Sequence, residues 1–248
     1  MRIDVVPCLR DNYAYLLVCE RTKEFAVVDA SEDDAVLRVA LPKISHEGLK
    51  PVAILSTHHH LDHVGGNEEL APLWSVPVYG GEKDKGRIPA LTNPLTGGDT
   101  FTIGEIRVRV MHVPGHTLGA IAYVCEDDHG PPCVFTGDTM FVAGSGRLFE
   151  GTPEMMYDSL TRLCALPPET RVYCGHEYTL TNLRFAKTID PKNEAIDARI
   201  VWAEALREKG EPTMPSTIAD ERATNPFVRS DDASELARVR TKKDSFNG

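Results

Sequence analysis

The sequence contains no Cys-x-x-Cys pair, no charged-then-apolar segment at its amino end, and no apolar run near the roughly 20 residues that span a membrane. Its six cysteines are scattered, several of them in apolar strand-like runs, which favours free buried thiols in a reducing compartment over a disulfide framework. Lysine and arginine number 27, against 37 acidic residues. The formal net charge of −10 argues against nucleic acid or an anionic membrane surface as a partner. We therefore expect a soluble, cytoplasmic protein.

The hydrophobic content of 42% is ample for a core, and the pattern of apolar residues changes along the chain. The first two thirds alternate short strand-like runs with turns and a few helices. Ser31 is a predicted N-cap of a helix that Pro42 should end or bend, and Thr152 is the predicted N-cap of a later helix. After about residue 177 the pattern is helical, with no convincing strand. This predicts an α/β fold with a mixed α/β domain over 1–176 and a smaller helical domain over 177–248.

The segment "STHHHLDHVGG", residues 56–66, holds four histidines and an aspartate within six residues, directly after the apolar run "VAIL". In an extended backbone His58, His60 and Asp62 point the same way, and His63 follows where the chain turns into a helix. The segment can therefore offer ligands to two adjacent points in space. His59 should point away, and we give it no metal role.

Three further candidates follow apolar runs later in the chain: His116 in "HVPGHTLG", Asp138 in "VFTGDT" and His176 in "VYCGHEY". Each motif alone is more often a turn or a helix cap. Loops at the ends of buried strands are, however, where a rigid scaffold presents a site, and four such signals in one chain would require several coincidences. Together with the histidine segment they predict a metal centre.

Five histidines and two aspartates are too many ligands for one tetrahedral zinc ion, and they suit two metals about 3.5–4 Å apart that share a carboxylate. We assign His58, His60 and His116 to the first metal, Asp62, His63 and His176 to the second, and Asp138 to a bridge between them. Imidazole and carboxylate ligands suit two divalent ions, with zinc placed first and iron or manganese as alternatives.

The segments "THHHLDHVGG", "PGHT", "FTGDT" and "GHEYT" resemble the metal motifs of the metallo-β-lactamase superfamily. That resemblance implies an αββα sandwich with a dinuclear site at its rim. "DNYAYLL", "GRLFEGT", "EPTMPST", "NPF" and "RTKKDSF" are similar to segments of one branch, the glyoxalase II or hydroxyacylglutathione hydrolase family. The family resemblance implies a monomeric, metal-dependent thioester hydrolase that cleaves S-D-lactoylglutathione to D-lactate and glutathione, the second step of methylglyoxal detoxification.

The same resemblance implies a set of residues that contact the glutathione thioester. They are Arg147, Leu148, Phe149, Glu177, Tyr178, Arg240 and Lys243. Asp62 is expected to orient the attacking hydroxide as well as bind metal. The stretch 235–243 has four cationic residues against one acid, which suits the two carboxylates of glutathione. On the residues alone, "RVRTKKD" is better interpreted as a solvated helix face.

The chain departs from the family pattern at three places. Ser145 stands where the family usually has cysteine, Ala30 follows Asp29 where proline is common, and Ala120 replaces a frequent second histidine. None of these replaces an assigned ligand. The alternative function is a mononuclear iron persulfide dioxygenase acting on glutathione persulfide, a family that lacks the second-site histidine and the long helical tail. His176 and the helical tail therefore favour the hydrolase.

Overall fold

The computed structural model describes residues 1–246. Two six-stranded β-sheets pack face to face, and helices cover the outer side of each. Within residues 1–246 no helix is both long and apolar enough to cross a membrane.

The first sheet has the strand order β1-β2-β3-β4-β5-β6. Its strands are β1 Arg2–Cys8, β2 Asn12–Val18, β3 Glu24–Val28, β4 Lys50–Leu55, β5 Val78–Gly81 and β6 Asn93–Leu95. The first three are antiparallel neighbours, and β3 to β6 run parallel. Every residue of β2 is buried, because alternate side chains of this strand pack into the core between the sheets and into the core beneath the helices.

The second sheet has the order β14-β13-β10-β9-β8-β7. Its strands are β7 Thr100–Ile103, β8 Ile106–His112, β9 Ile121–Glu126, β10 Cys133–Gly137, β13 Arg171–Cys174 and β14 Ser216–Thr217. Two short strands, β11 Met140–Phe141 and β12 Gly144–Ser145, form a separate hairpin. Only β10 and β13 pair in parallel, and the other neighbours are antiparallel.

Within residues 1–246, eight α-helices connect and cover the sheets: α1 Asp33–Glu47, α2 Leu61–Val64, α3 Asn67–Trp74, α4 Pro153–Cys164, α5 Thr179–Ile189, α6 Glu194–Glu208, α7 Ile218–Thr224 and α8 Ala233–Asp244. A short 3₁₀-helix spans Glu82–Asp84.

Three apolar clusters hold the layers together. The largest lies between the sheets and contains Tyr15, Tyr123 and Phe135, each at most 2% exposed. A second cluster packs α1 and α3 on the first sheet. The third joins the outer face of the second sheet to α4 and α8, so residues from both 1–176 and 177–246 share it. The division after His176 remains a prediction, since the packing joins the two ranges continuously.

The αββα fold predicted from the sequence is confirmed, and details of local structure differ. The side chain of Thr152 caps α4 as predicted. The N-cap of α1 is Glu32 rather than Ser31, whose hydroxyl donates to the main-chain oxygen of Asp29 instead. Pro42 lies within α1 without ending it.

Two further differences concern strands and cysteines. The prediction of no strand beyond residue 177 is wrong, because Ser216–Thr217 pairs with β13. Two residues carry too little periodicity to be recognised as a strand. The six cysteines are free, as predicted, and all except the partly exposed Cys164 are buried.

Candidate metal centre and active site

The seven predicted ligands meet at one rim of the sandwich because each follows a strand that ends there. The segment containing His58, His60, Asp62 and His63 leaves β4 and turns into α2. His116 follows β8, Asp138 follows β10 and His176 follows β13. The extended backbone expected through Asp62 is wrong, since α2 begins at Leu61. The turn of helix brings Asp62 and His63 together with His176.

The imidazoles of His58, His60 and His116 form the first group. His60 Nδ1 lies 3.1 Å from His58 Nε2 and 3.0 Å from His116 Nε2. Two nitrogens that each bind one zinc ion at about 2.0–2.1 Å would lie roughly 3.3 Å apart in a tetrahedral arrangement. The spacing of the three nitrogens therefore fits a metal ion.

Asp62, His63 and His176 form the second group. His63 Nε2 lies 3.3 Å from His176 Nε2, and Asp62 Oδ2 lies 3.4 Å from the same His176 nitrogen. His63 is fully buried, whereas 41% of the Asp62 side chain is exposed. Asp62 thus forms the solvent-facing side of this group.

The Asp138 carboxylate lies between the two groups. Its Oδ1 is 3.3 Å from His63 Nε2, and its Oδ2 is 3.5 Å from His116 Nε2 and 3.4 Å from His176 Nε2. One oxygen or the other therefore faces a histidine of each group. This is the position required of a carboxylate shared by two metals.

Four of the five imidazoles are oriented by a hydrogen bond at the ring nitrogen that faces away from the centre. The pairs are His58 Nδ1 with Thr57 Oγ1 (3.1 Å), His63 Nδ1 with Asp29 Oδ2 (3.0 Å), His116 Nδ1 with the Arg147 main-chain oxygen (2.8 Å) and His176 Nδ1 with Asp11 Oδ1 (2.9 Å). Such partners hold a metal-binding histidine in one tautomer and ring orientation.

Sequence reasoning missed these supporting residues. Asp29 also accepts hydrogen bonds from the main-chain and side-chain groups of Thr57, and Asn12 donates to Asp62 Oδ2 at 3.0 Å. Asp11 and Asn12 lie in "DNYAYLL", and Asp29 directly follows β3. For Asp29 the available signal was a carboxylate directly after an apolar run, although this does not indicate which histidine the carboxylate meets.

The neighbouring histidines favour ionised carboxylates at this centre, against the effect of burial. Burial would raise the pKa of Asp138, but the neighbouring His63 and His176 hold it well below its usual range. Burial lowers the pKa of His58 well below its ordinary value. For His176 burial acts in the same direction, yet hydrogen bonds to Asp138 and Asp62 outweigh it and raise the pKa to about 10. The centre is thus an anionic pocket in which protons and a cation compete for the same nitrogens.

Three observations show that the residues fit divalent metal ions. The ligand atoms converge in triads, the set is imidazole and carboxylate without thiolate, and both carboxylates are held ionised. Gly175 adds a fourth, because a Cβ there would lie 2.4 Å from Asp138 Oδ1 and 2.5 Å from His63 Cε1. Only glycine leaves the centre open at this point.

The residues predicted to contact glutathione extend from this centre to α8. The Phe149 ring, 63% exposed, lies 5.6 Å from the His60 ring and 5.2 Å from the His116 ring. The Tyr178 ring stacks on His176 at 4.7 Å with an interplanar angle of 5°. Leu148 is partly buried against the core of the second sheet.

Arg147, Arg240 and Lys243 lie around the carboxyl end of α8. Arg147 Nε is 3.6 Å from Asp244 Oδ1, and Arg240 Nη2 is 2.7 Å from the same oxygen. Arg240 also donates to the Ser145 main-chain oxygen at 3.1 Å. Lys243 Nζ lies 3.2 Å from the Thr181 main-chain oxygen. The structure brings these three cations to one place.

Glu177 is turned away from the others. Its carboxylate accepts from the Tyr13 hydroxyl at 2.9 Å and from the Thr213 main-chain N–H at 2.9 Å, and Arg207 lies 3.7 Å away. These bonds occupy the side chain, so a contact with substrate would have to come from its main chain. Its predicted binding role stays a prediction.

The protein is an αββα sandwich with a histidine–aspartate centre, suited to metal ions, at its rim. Residues 9–176 match the family described as metallo-beta-lactamase superfamily. Residues 177–246 match the family described as hydroxyacylglutathione hydrolase C-terminus.

A relative from Arabidopsis thaliana, named hydroxyacylglutathione hydrolase cytoplasmic, is 44% identical over 264 residues, with 100% of each chain covered. The chain belongs to the hydroxyacylglutathione hydrolase family of this superfamily. Solved structures similar to it include ETHE1 from Myxococcus xanthus, with 26% identity, a TM-score of 0.72 and coverage of 97% of this chain and 90% of that one. The protein TTHA1623, solved in a di-iron-bound form, is 28% identical with a TM-score of 0.61, covering 90% of this chain and 98% of that one.

Proposed function

We propose that this protein hydrolyses S-(2-hydroxyacyl)glutathione thioesters, with S-D-lactoylglutathione as the substrate and D-lactate and glutathione as products. The observation that carries the proposal is the joining of two features in one chain. A converged histidine–aspartate centre lies at the sandwich rim, and a cationic cluster on α8 lies beside the loop that carries Phe149. The first suits hydrolysis and the second suits an anionic tripeptide.

The proposed ligand sets are those predicted from the sequence. His58, His60 and His116 would hold one divalent ion, and Asp62, His63 and His176 would hold the other. Asp138 would touch both, as its distances to the two groups support. Zinc is the first choice for these ligands, with iron or manganese as alternatives. The di-iron form of TTHA1623 supports a pair of metals in this fold.

When bound, such ions supply Lewis acidity, which lowers the pKa of water to about 7 and polarises a carbonyl group. The protein's own groups then decide geometry. Asp62 faces solvent, and Asn12 holds its Oδ2 through a 3.0 Å hydrogen bond. A carboxylate fixed in this way can accept a hydrogen bond from the attacking water and keep that water aimed at the thioester carbonyl.

The leaving group needs no separate acid. A thiol has a pKa of about 8.5, so glutathione departs as a thiolate that is stable enough near neutral pH. This accounts for an active site whose side chains are ligands and orienting groups. The exposed ring of Phe149 would cover the acyl end of the substrate next to His60 and His116.

Glutathione would lie between this centre and α8. Its two carboxylates would meet Arg147, Arg240 and Lys243, and Tyr178 would line the path next to His176. The partner is thus a small molecule, and we further propose a monomeric protein in the cytoplasm, in keeping with the name of the Arabidopsis relative. As part of this proposal, we expect neither a nucleic acid nor a membrane as a partner.

The test is the rate of S-D-lactoylglutathione hydrolysis, measured with and without a strong chelator and alongside the metal content per chain. Rapid turnover that the chelator abolishes, with two metals per chain, is expected. Absence of turnover in protein that holds two metals would contradict the substrate. One iron per chain and oxygen consumption with glutathione persulfide would instead favour the dioxygenase.

A further inference from the structure

A group of charged residues lies behind the metal centre and takes no part in the mechanism above. His59 points away from the centre toward Asp84, and its Nδ1 lies 3.1 Å from Asp84 Oδ1. Asp84 is fully buried. Gly119 packs so closely on this carboxylate that a Cβ there would lie 2.2 Å from Asp84 Oδ1. We call His59, Asp84, Arg87 and Glu150 the rim network.

Arg87 and Asp84 lie at opposite nitrogens of the His59 ring. Arg87 Nη2 contacts His59 Nε2, and because a guanidinium can only donate, that nitrogen accepts. The contact between His59 Nδ1 and Asp84 Oδ1 is close but does not have the geometry of a hydrogen bond. Both ring nitrogens of His59 thus face groups from the chain between β5 and β6.

Glu150 extends the network to the loop that carries Phe149. Its carboxylate pairs with Arg87 Nη2 and accepts from the Leu118 main-chain N–H at 2.8 Å. Arg87 and Glu150 together therefore join three segments at the rim: the histidine segment, the loop after β8 and the loop after β12.

His60 lies between His59 of the rim network and Phe149, the neighbour of Glu150 in sequence. Among residues 1–246 it is the one imidazole of the five without a hydrogen bond at its outward nitrogen, whereas the other four are held by such bonds. Rings contact it instead. The His59 ring lies 4.8 Å away at an interplanar angle of 66°, and the Phe149 ring lies 5.6 Å away at 79°. One of these rings belongs to the rim network, and the other is next in sequence to Glu150.

We propose that the rim network is a positioning device for His60, which orients this imidazole by packing where its four counterparts use hydrogen bonds. His59, Asp84, Arg87 and Glu150 are positioning residues and touch neither substrate nor metal. The proposal rests on the proposed function, because His60 is assigned there as a ligand of the first metal.

The test uses the whole chain loaded with Zn²⁺ and measures the affinity of each bound ion by competition with a chromophoric chelator. In Arg87→Met the ion held by His58, His60 and His116 is expected to bind roughly tenfold more weakly, as is typical when a residue supporting a ligand is lost. The other ion should keep its affinity. Stepwise Co²⁺ loading, followed by visible absorption, assigns the weakened ion to the histidine-only position.

Two further variants keep the result interpretable. Arg162→Met, which removes an exposed ion pair to Asp158 on α4, should leave both affinities unchanged. The double variant Arg87→Met, Glu150→Gln should weaken binding of the first Zn²⁺ by less, in free energy, than the two single variants added together, since both residues act in one network. Thermal unfolding shows whether each variant is folded.

Wild-type affinity for both ions in folded Arg87→Met would overturn the proposal, as would equal weakening of both ions. A failure of the proposed function would be detected in a different measurement, the hydrolysis assay of the wild-type protein. Wild type that binds two Zn²⁺ without hydrolysing S-D-lactoylglutathione contradicts the substrate and leaves the affinity comparison intact.

Discussion

The metal centre and the cationic cluster on α8 hold their side chains in different ways. At the centre, buried imidazoles are fixed from behind by Thr57, Asp29, Asp11 and a main-chain oxygen. Around α8, Arg240 of that helix and Arg147 of the loop after β12 both pair with the half-exposed carboxylate of Asp244. The first is preorganised for a ligand of fixed geometry. The second is a set of charges that a flexible, anionic ligand can rearrange. Changes at the centre should therefore affect kcat and metal content, and changes near α8 should affect KM.

The largest effect is expected from Asp138→Ala. This change removes the one carboxylate that faces both groups, so we expect no measurable hydrolysis and fewer than two metals per chain. Metal analysis together with the thioester assay checks both. Asp158→Ala, at an exposed position of α4, is the control and should behave as wild type. Two tightly held metals in Asp138→Ala would disprove the bridge.

Asp29→Asn tests the support behind the centre. Asp29 lies at a positive φ of 50°, which asparagine also adopts readily, so the backbone is preserved while the charge facing His63 is lost. We expect metal affinity to fall by roughly 10–100-fold on the His63 side, with KM little changed. Chelator competition and steady-state kinetics measure the two quantities. A change in KM with unchanged metal affinity would contradict this prediction, because it would mean that support of the metal centre affects substrate binding in the way expected of α8.

Lys243→Ala tests the cationic cluster. A hydrogen bond to a charged group is worth about 1.5–3 kcal/mol, so KM should rise roughly tenfold or more while kcat stays near wild type. Product inhibition by glutathione should weaken in parallel. A large fall in kcat with KM unchanged would place Lys243 outside the binding site.

The same lysine predicts a pH dependence. Burial lowers the pKa of Lys243 to about 8, and Arg240 adds to the effect while Asp244 opposes it. The cation is therefore lost as pH rises through about 8, and KM should increase between pH 7 and pH 9. In Lys243→Met this increase should disappear. The same rise in KM in both proteins would assign it to another group.

Asp244→Asn should give the smallest effect. Its carboxylate opposes the binding of an anion, but it is 45% exposed, and exposed charge interactions are worth less than about 1 kcal/mol. We expect KM to fall by a factor of roughly two to three, since Arg240 keeps its bond to the Ser145 main-chain oxygen. A rise in KM would mean that Asp244 chiefly holds the two arginines in place.

The sequence predicted the fold, and it predicted the meeting of the seven candidate ligands, because both follow from short-range patterns. An apolar run followed by histidine or aspartate marks a strand end, and strand ends meet at one rim. The partners of the ligands could not be predicted in the same way. Asp11 meets His176 across 165 positions, and Arg87 meets Glu150 across 63. Such pairs depend on how β1–β2 and the segment after β5 fold over the rim.

Glu177 shows what a resemblance of motifs leaves open. The resemblance implied a substrate contact for this residue, whereas its side chain is engaged by Tyr13 and Thr213, so a contact through its main chain stays a prediction. Neighbours in sequence at a strand end point in alternate directions, and a resemblance of motifs does not distinguish them.

The two residues of β14 have a consequence for the evolution of such chains. They pair with Arg171 and Val172 at the outer edge of β13, and the Ile218 main-chain N–H continues the contact by donating to the Thr170 oxygen at 3.0 Å. Without them β13 would present unpaired main-chain groups to neighbouring molecules, which invites edge-to-edge aggregation. A relative that lost the helical tail would therefore need another segment to pair with this edge of β13.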